Sequence, residues 1–134
     1  MMTYTRYPEQ DFTLFVSKGN TTIDEWLDTV GRYSNIEGIS RLELYDMRTH
    51  TNLFSNDEIE QLLFHALDNS SIRPKNNRTA LLVNQGELYG LSRMYESMTK
   101  IEGITNNDTE VFDNLEDAVE WLGEQANVAL GDYD

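Results

Sequence analysis

The sequence contains no cysteine, which excludes disulfides, thiolate metal sites and thiol nucleophiles together. Histidine occurs only twice, as His50 and His65, so the usual proton carrier of acid–base catalysis is scarce. No apolar stretch approaches the roughly 20 residues needed to span a bilayer. The opening MMTYTRYPEQDF lacks the apolar core of a secretory signal. Basic residues stop at Lys100, and residues 102–134 carry −10 of the formal net charge of −14. A field of that sign repels phosphate backbones and anionic headgroups, which argues against nucleic-acid binding. Arg73, Lys75 and Arg78, the one basic cluster, read as a solvated loop without aromatic neighbours. Together these absences predict a cytoplasmic domain with no membrane span and no cofactor.

At 134 residues the chain has the length of a single domain that builds its core without staples. The stretch Asp11–Lys18 alternates Phe12, Leu14 and Val16 against Thr13, Phe15 and Ser17, the period of a strand. Thr22 and Glu25 form a capping-box pair ahead of Ile23, Trp26, Leu27 and Val30, which repeat at helical spacing. Arg41–Asp46 is a second strand. Ser55 and Glu58 form a second capping box, before the amphipathic run Ile59, Leu62, Leu63, Ala66, Leu67. Thr79–Asn84 is a compact apolar strand. A third helix with Leu88, Leu91, Tyr95 and Met98 closes near Gly103, Asp108–Phe112 is a last short strand, and Asn114 caps a fourth helix.

Residues 1–10, with Tyr4–Tyr7, read as an edge strand or arm, and residues 125–134 as an acidic tail end. Alternating strands and helices imply right-handed crossovers. The expected fold is therefore α/β, one domain over residues 1–134, with a mainly parallel or mixed open sheet of four to five strands and four helices. The alternation of the first two strands places Thr13, Ser17, Arg41, Glu43, Arg78 and Glu110 on one face with Phe15, Tyr45, Leu82 and Phe112. Two readings stay open. In one, that face is half-covered and its apolar strip is an interface for a partner or a second copy. In the other, a helix crosses it and the polar residues lie at the margins.

Chemistry-bearing motifs are few. There is no Gly-rich phosphate loop and no Gly-x-Ser-x-Gly elbow. Neither histidine has Glu or His at a metal-site spacing. Open α/β sheets bind ligands beyond the carboxyl ends of their strands, which here carry Asp46, Arg48 and Asn84. Tyr89, Arg93 and Glu96 add a polar stripe on the third helix. These make Asp46, Arg48, Asn84, Tyr89 and Arg93 the candidate ligand-binding residues, although Asp46 and Arg48 are also placed to pair with each other.

Three segments carry a family resemblance: RLELYDMR at Arg41–Arg48, TALLVNQGELYGLSRMYES at Thr79–Ser97, and VFDNLEDAVEWL at Val111–Leu122. Their pattern resembles the SpoIIAA-like proteins, relatives of the STAS anti-sigma-factor-antagonist fold. The resemblance implies a mixed sheet with helices mainly on one side. It also implies protein–protein regulation or the binding of small apolar ligands in place of catalysis. By that resemblance Asp46 matches a strand-end Asp, and Ser55 falls at the spacing of a phosphoacceptor. The surrounding Phe54-Ser55-Asn56-Asp57 departs from the Asp-Ser-Ser-Gly-like pattern. Asp57 and Glu58 would repel a phosphate, and a helix cap accounts for Ser55. The leading expectation is a non-enzymatic domain acting through a protein partner or self-association. The alternative is a small-molecule binder or enzyme that uses the strand-end residues.

Overall fold

The computed structural model describes residues 1–36, 38–101 and 108–133. Five strands and five α-helices are described: β1 (Met2–Tyr7), β2 (Phe12–Gly19), α1 (Ile23–Ile36), β3 (Leu42–His50), α2 (Asn56–Asp68), β4 (Arg78–Leu82), α3 (Glu87–Ile101), β5 (Asp108–Phe112), α4 (Leu115–Leu122) and α5 (Glu124–Leu130). Gly103, the expected end of the third helix, lies outside the described residues. No helix among them is long and apolar enough to cross a membrane.

The strands form one sheet in sequence order, β1 to β5. β1 runs antiparallel to β2, as a hairpin arm at the edge, and the remaining neighbours are parallel. This order has a direct consequence. Three right-handed crossovers that all step in the same direction set their helices on the same face. Accordingly α1, α2 and α3 cover one side, where Phe15, Tyr45, Leu81 and Val111 join Trp26, Val30, Tyr33 and Ile59 in a buried cluster.

The chain after β5 turns back across the opposite face. There α4 and α5 pack Ala118, Leu122, Ala126 and Leu130 onto Phe12, Leu14, Leu42, Leu44, Ala80 and Leu82. The expected four helices are thus five, and residues 125–130 of the expected acidic tail belong to a core-bearing helix, α5. Gly123, with φ 108° and ψ −174°, separates the two helices. Only glycine tolerates such a backbone, so α4 stops there and α5 starts in a new direction.

Both sheet faces are covered, which rules out the half-covered face, one of the two readings the sequence leaves open. Strand register gives the reason. Tyr45 stands opposite Leu81, and Leu44 opposite Ala80, so Leu82 and Phe112 share the α4–α5 face instead of the Tyr45 face. A one-residue slip in pairing exchanges every side chain between faces. Phe15 and Tyr45 stack at 4.2 Å between ring centroids beneath α1, whereas Leu82 is wholly buried on the other side. The expected interface strip Phe15, Tyr45, Leu82, Phe112 does not exist as a surface.

Local chemistry sets the helix starts. Ser55 Oγ accepts from Glu58 N at 3.2 Å while Glu58 Oε1 accepts from Ser55 N at 2.8 Å, a complete capping box. At α1 only half of the expected pair forms. Thr22 Oγ1 accepts from Glu25 N at 3.1 Å, but the Glu25 carboxylate is drawn to Met2 N, 2.7 Å away. Asn114 Oδ1 accepts from Asp117 N at 2.9 Å and caps α4.

Strand β3 runs further than its apolar pattern suggests, through a bulge. Val16 pairs with Asp46, yet Lys18 pairs with Thr49, so β3 carries one extra residue there. A bulge of this kind re-aims the side chains that follow it. It turns His50 onto the α1 face, where Ser17 Oγ and His50 Nδ1 lie 2.8 Å apart. Trp26 meets the imidazole edge-on. His50 is therefore a buried strand residue, four positions beyond the expected strand end at Asp46; burial lowers its pKa.

Candidate functional site

Across the α1–α3 face, the strands bring their second residues into one row. Thr13 pairs with Glu43, Glu43 with Thr79, and Thr79 with Thr109. All four are buried. Two residues along each strand lies a second row, Phe15, Tyr45, Leu81 and Val111, which is aromatic and aliphatic. The sheet thus presents a polar band beside an apolar one under the same three helices.

The polar band is organised by Glu43. Its carboxylate accepts from Tyr33 Oη at 2.7 Å, Thr79 Oγ1 at 2.9 Å and Arg73 Nη1 at 3.1 Å. Tyr33 Oη in turn accepts from Ser40 N at 2.7 Å, and Thr13 Oγ1 and Ser40 Oγ are 2.7 Å apart. Arg73 enters from the loop between α2 and β4, with its side chain only 7% exposed and that of Glu43 1%. A buried ion pair holds its charges only where further hydrogen bonds satisfy them, as they do for this carboxylate. Arg73 is therefore not part of a solvated basic loop. Arg78 is not free either; its guanidinium lies 5.3 Å from the Trp121 ring centroid.

Above this cluster, between the sheet and the three helices, lies an apolar cavity of about 80 Å³. Trp26, Tyr45, Met47 and Leu81 line it from α1 and the sheet, Ile59, Leu62 and Ala66 from α2, and Leu88, Leu91 and Tyr95 from α3. Its polar lining is Arg73, His65, Thr79, Ser92 and Thr109. Two of these are incompletely satisfied: Arg73 Nε and Thr109 Oγ1 are buried and have no hydrogen-bond partner among the described residues. Burial, and then the nearby Arg73 charge, lower the His65 pKa and favour its neutral ring. Burial pushes the Tyr95 phenol up to about 12 and raises Tyr45 as well. Among the described residues Arg73 is the one permanently charged side chain in the lining.

The residues expected to bind a ligand are arranged differently. Asp46 accepts from Arg48 Nε at 3.0 Å, Arg48 Nη2 at 2.9 Å and Tyr133 Oη, so it is engaged by its own neighbours. Burial raises its pKa, but the Arg48 and Tyr133 hydrogen bonds outweigh this and leave it lowered. Asn84 Nδ2 donates to Arg48 O at 2.8 Å, and both residues line a shallow groove with Gln85 and Glu87 at the carboxyl ends of the strands. Tyr89 is half-buried against the α1–α3 core. Arg93 stands 57% exposed, 3.5 Å from Glu96. Glu96 ties α3 to the edge strand by accepting from Val111 N at 2.9 Å. None of the five lines the cavity. Ser55 serves as the N-cap of α2.

Glu43, Arg73, Thr79 and Thr109 were not among the expected site residues. They lie toward the amino ends of β3, β4 and β5, opposite the ends where ligands usually bind an open sheet. A signal was present in the strand period. Each strand carries a polar residue two positions before a large apolar one on the same face, Glu43 before Tyr45 and Thr79 before Leu81.

No family model and no curated protein matches the chain. Among solved structures it is similar to an uncharacterized DUF3478-family protein from Shewanella loihica PV-4, which has a SpoIIAA-like fold. The two are 20% identical, the match covers 92% of this chain and 93% of that one, and the TM-score is 0.53. The likeness is one of fold, and the protein has a SpoIIAA-like α/β fold with a mixed five-stranded sheet.

Proposed function

We propose that this domain binds a small molecule in the cavity between its sheet and α1–α3. The observation that carries the reading is that two lining residues of an otherwise apolar cavity, Arg73 and Thr109, each keep a buried polar atom, Nε and Oγ1, without a partner among the described residues. Folded interiors are close-packed, with few voids larger than a water molecule. A space of about 80 Å³ leaves its apolar lining short of packing partners. Each unsatisfied buried polar group costs about 1–3 kcal/mol. A ligand with an apolar body and one polar atom offsets both at once.

The expectation of a partner-binding sheet face loses its support, because helices occupy both faces. The strand-end residues support a binding role less well, since Asp46, Arg48 and Asn84 already engage one another. The reading is tested by a methyl NMR screen of small organic molecules against the full chain. Binding in the cavity moves the Ala66, Leu81 and Leu91 resonances together. Shifts confined to exposed methyls across the whole set would overturn it.

A further inference from the structure

We propose that the cavity selects a small neutral molecule carrying one oxygen, a ketone, amide or alcohol, over a carboxylate of the same shape. This rests on the cavity being the ligand site and adds the chemical class of what enters it.

The distinction comes from the charge around Arg73. Its guanidinium is buried and held 3.1 Å from Glu43 Oε1, so its positive charge is already met by a carboxylate inside the protein. Thr79 Oγ1 and Tyr33 Oη complete the shell of that carboxylate. A second carboxylate entering the same low-dielectric space would bring a negative charge with no cation left to balance it, beside a like charge. No other group in the lining supplies that cation: His65 is favoured neutral and the Tyr45 and Tyr95 phenols are held protonated by burial.

A neutral oxygen meets the opposite situation. It loses less than a charge does on leaving water, and Arg73 Nε–H and the hydroxyl of Thr109, a residue only 1% exposed, are both without a partner among the described residues. Size narrows the class further. The cavity, about 80 Å³, is about half the ~150 Å³ apolar cavity that takes benzene. The body is therefore a few carbon atoms, or the end of a longer chain that reaches out between the half-buried Leu62, Leu88 and Leu91.

2-Butanone and propionate make the test, because they have the same number of heavy atoms and differ by a methyl group in place of a charged oxygen. Xenon serves as an apolar probe without any oxygen. All three are titrated into the full chain while the Ala66 and Leu81 methyl resonances are followed. Xenon is expected to move both methyls, and butanone to bind at least about tenfold more tightly than propionate. Thr109→Val, which keeps the shape and removes the hydroxyl, is expected to weaken butanone about tenfold, the loss of one hydrogen bond, with the xenon response intact. If neither xenon nor butanone moves the methyls, the cavity is not a ligand site and both readings fall. If xenon binds but propionate equals butanone, or Thr109→Val leaves butanone unchanged, the preference for a neutral oxygen alone is overturned.

Discussion

Arg73 Nη1 lies 3.1 Å from Glu43 Oε1, and the two residues, thirty positions apart in the chain, are both buried. This pair joins the α2–β4 loop to the centre of the sheet and holds Arg73 in the lining of the cavity. Removing one partner of a buried ion pair leaves the other charge stranded, which costs about 3–5 kcal/mol. Arg73→Met is expected to lose that much stability in urea denaturation. The double variant Glu43→Gln with Arg73→Met is expected to regain part of it, because no unpaired charge remains. A single-variant loss below about 0.5 kcal/mol, the level of surface substitutions, would show that the pair is solvated in solution.

Thr109→Val makes the contrasting prediction. The Thr109 hydroxyl is buried without a partner among the described residues, so deleting it stabilises the ligand-free protein by about 1 kcal/mol. A stabilising change that weakens ligand binding is the pattern expected of a residue kept for function. A rise in melting temperature without ligand checks this; a fall would show that the hydroxyl is satisfied in solution.

The Tyr133–Asp46 hydrogen bond makes part of the stability depend on acid pH. With its pKa lowered in the folded state, Asp46 contributes stability that is present above the unfolded value near ~3.9 and is lost as pH falls through the folded value. Tyr133→Phe removes one hydrogen bond to the carboxylate. The Asp46 pKa is then expected to rise, and its part of the acid unfolding to begin at higher pH. Carbon-detected NMR titration of the Asp46 carboxyl reads the shift directly. An unmoved pKa would mean that Tyr133 does not hold Asp46 in solution.

Tyr45 tests the covered sheet face. Its ring stacks between Phe15 and Trp26, so Tyr45→Asp buries a charge in an aromatic stack and is expected to cost more than about 4 kcal/mol. Loss of the cooperative thermal transition is the expected outcome. A folded variant with reduced scattering mass would instead return Tyr45 to an interface.

The strands and the first four helices are legible from their periods, and α1, α2 and α4 also from a start signal, as Ser55 and Glu58 show for α2. α5 was hidden because it is seven residues long, and only Ala126 and Leu130 are fully buried in it. Gly123 made its sequence look like the end of a helix and the start of a tail. The two-sided core hides behind one step of register: Arg78 stands opposite Leu42 and so falls on the other face from Glu43. The site was out of reach for a different reason. Glu43, Arg73 and Thr109 come from separate segments; the parallel register aligns Glu43 and Thr109 with Thr79, and the α2–β4 loop brings in Arg73. No local spacing records a charge in a loop finding a carboxylate in the middle of a sheet.

The most direct measurement is a set of intermolecular NOEs between 2-butanone and the isotope-labelled protein. The account predicts NOEs from the ligand methyls to Ala66 and Leu81, with none to Leu53 and Thr51 in the groove at the strand carboxyl ends. NOEs to that groove, and none to Ala66 or Leu81, would contradict it.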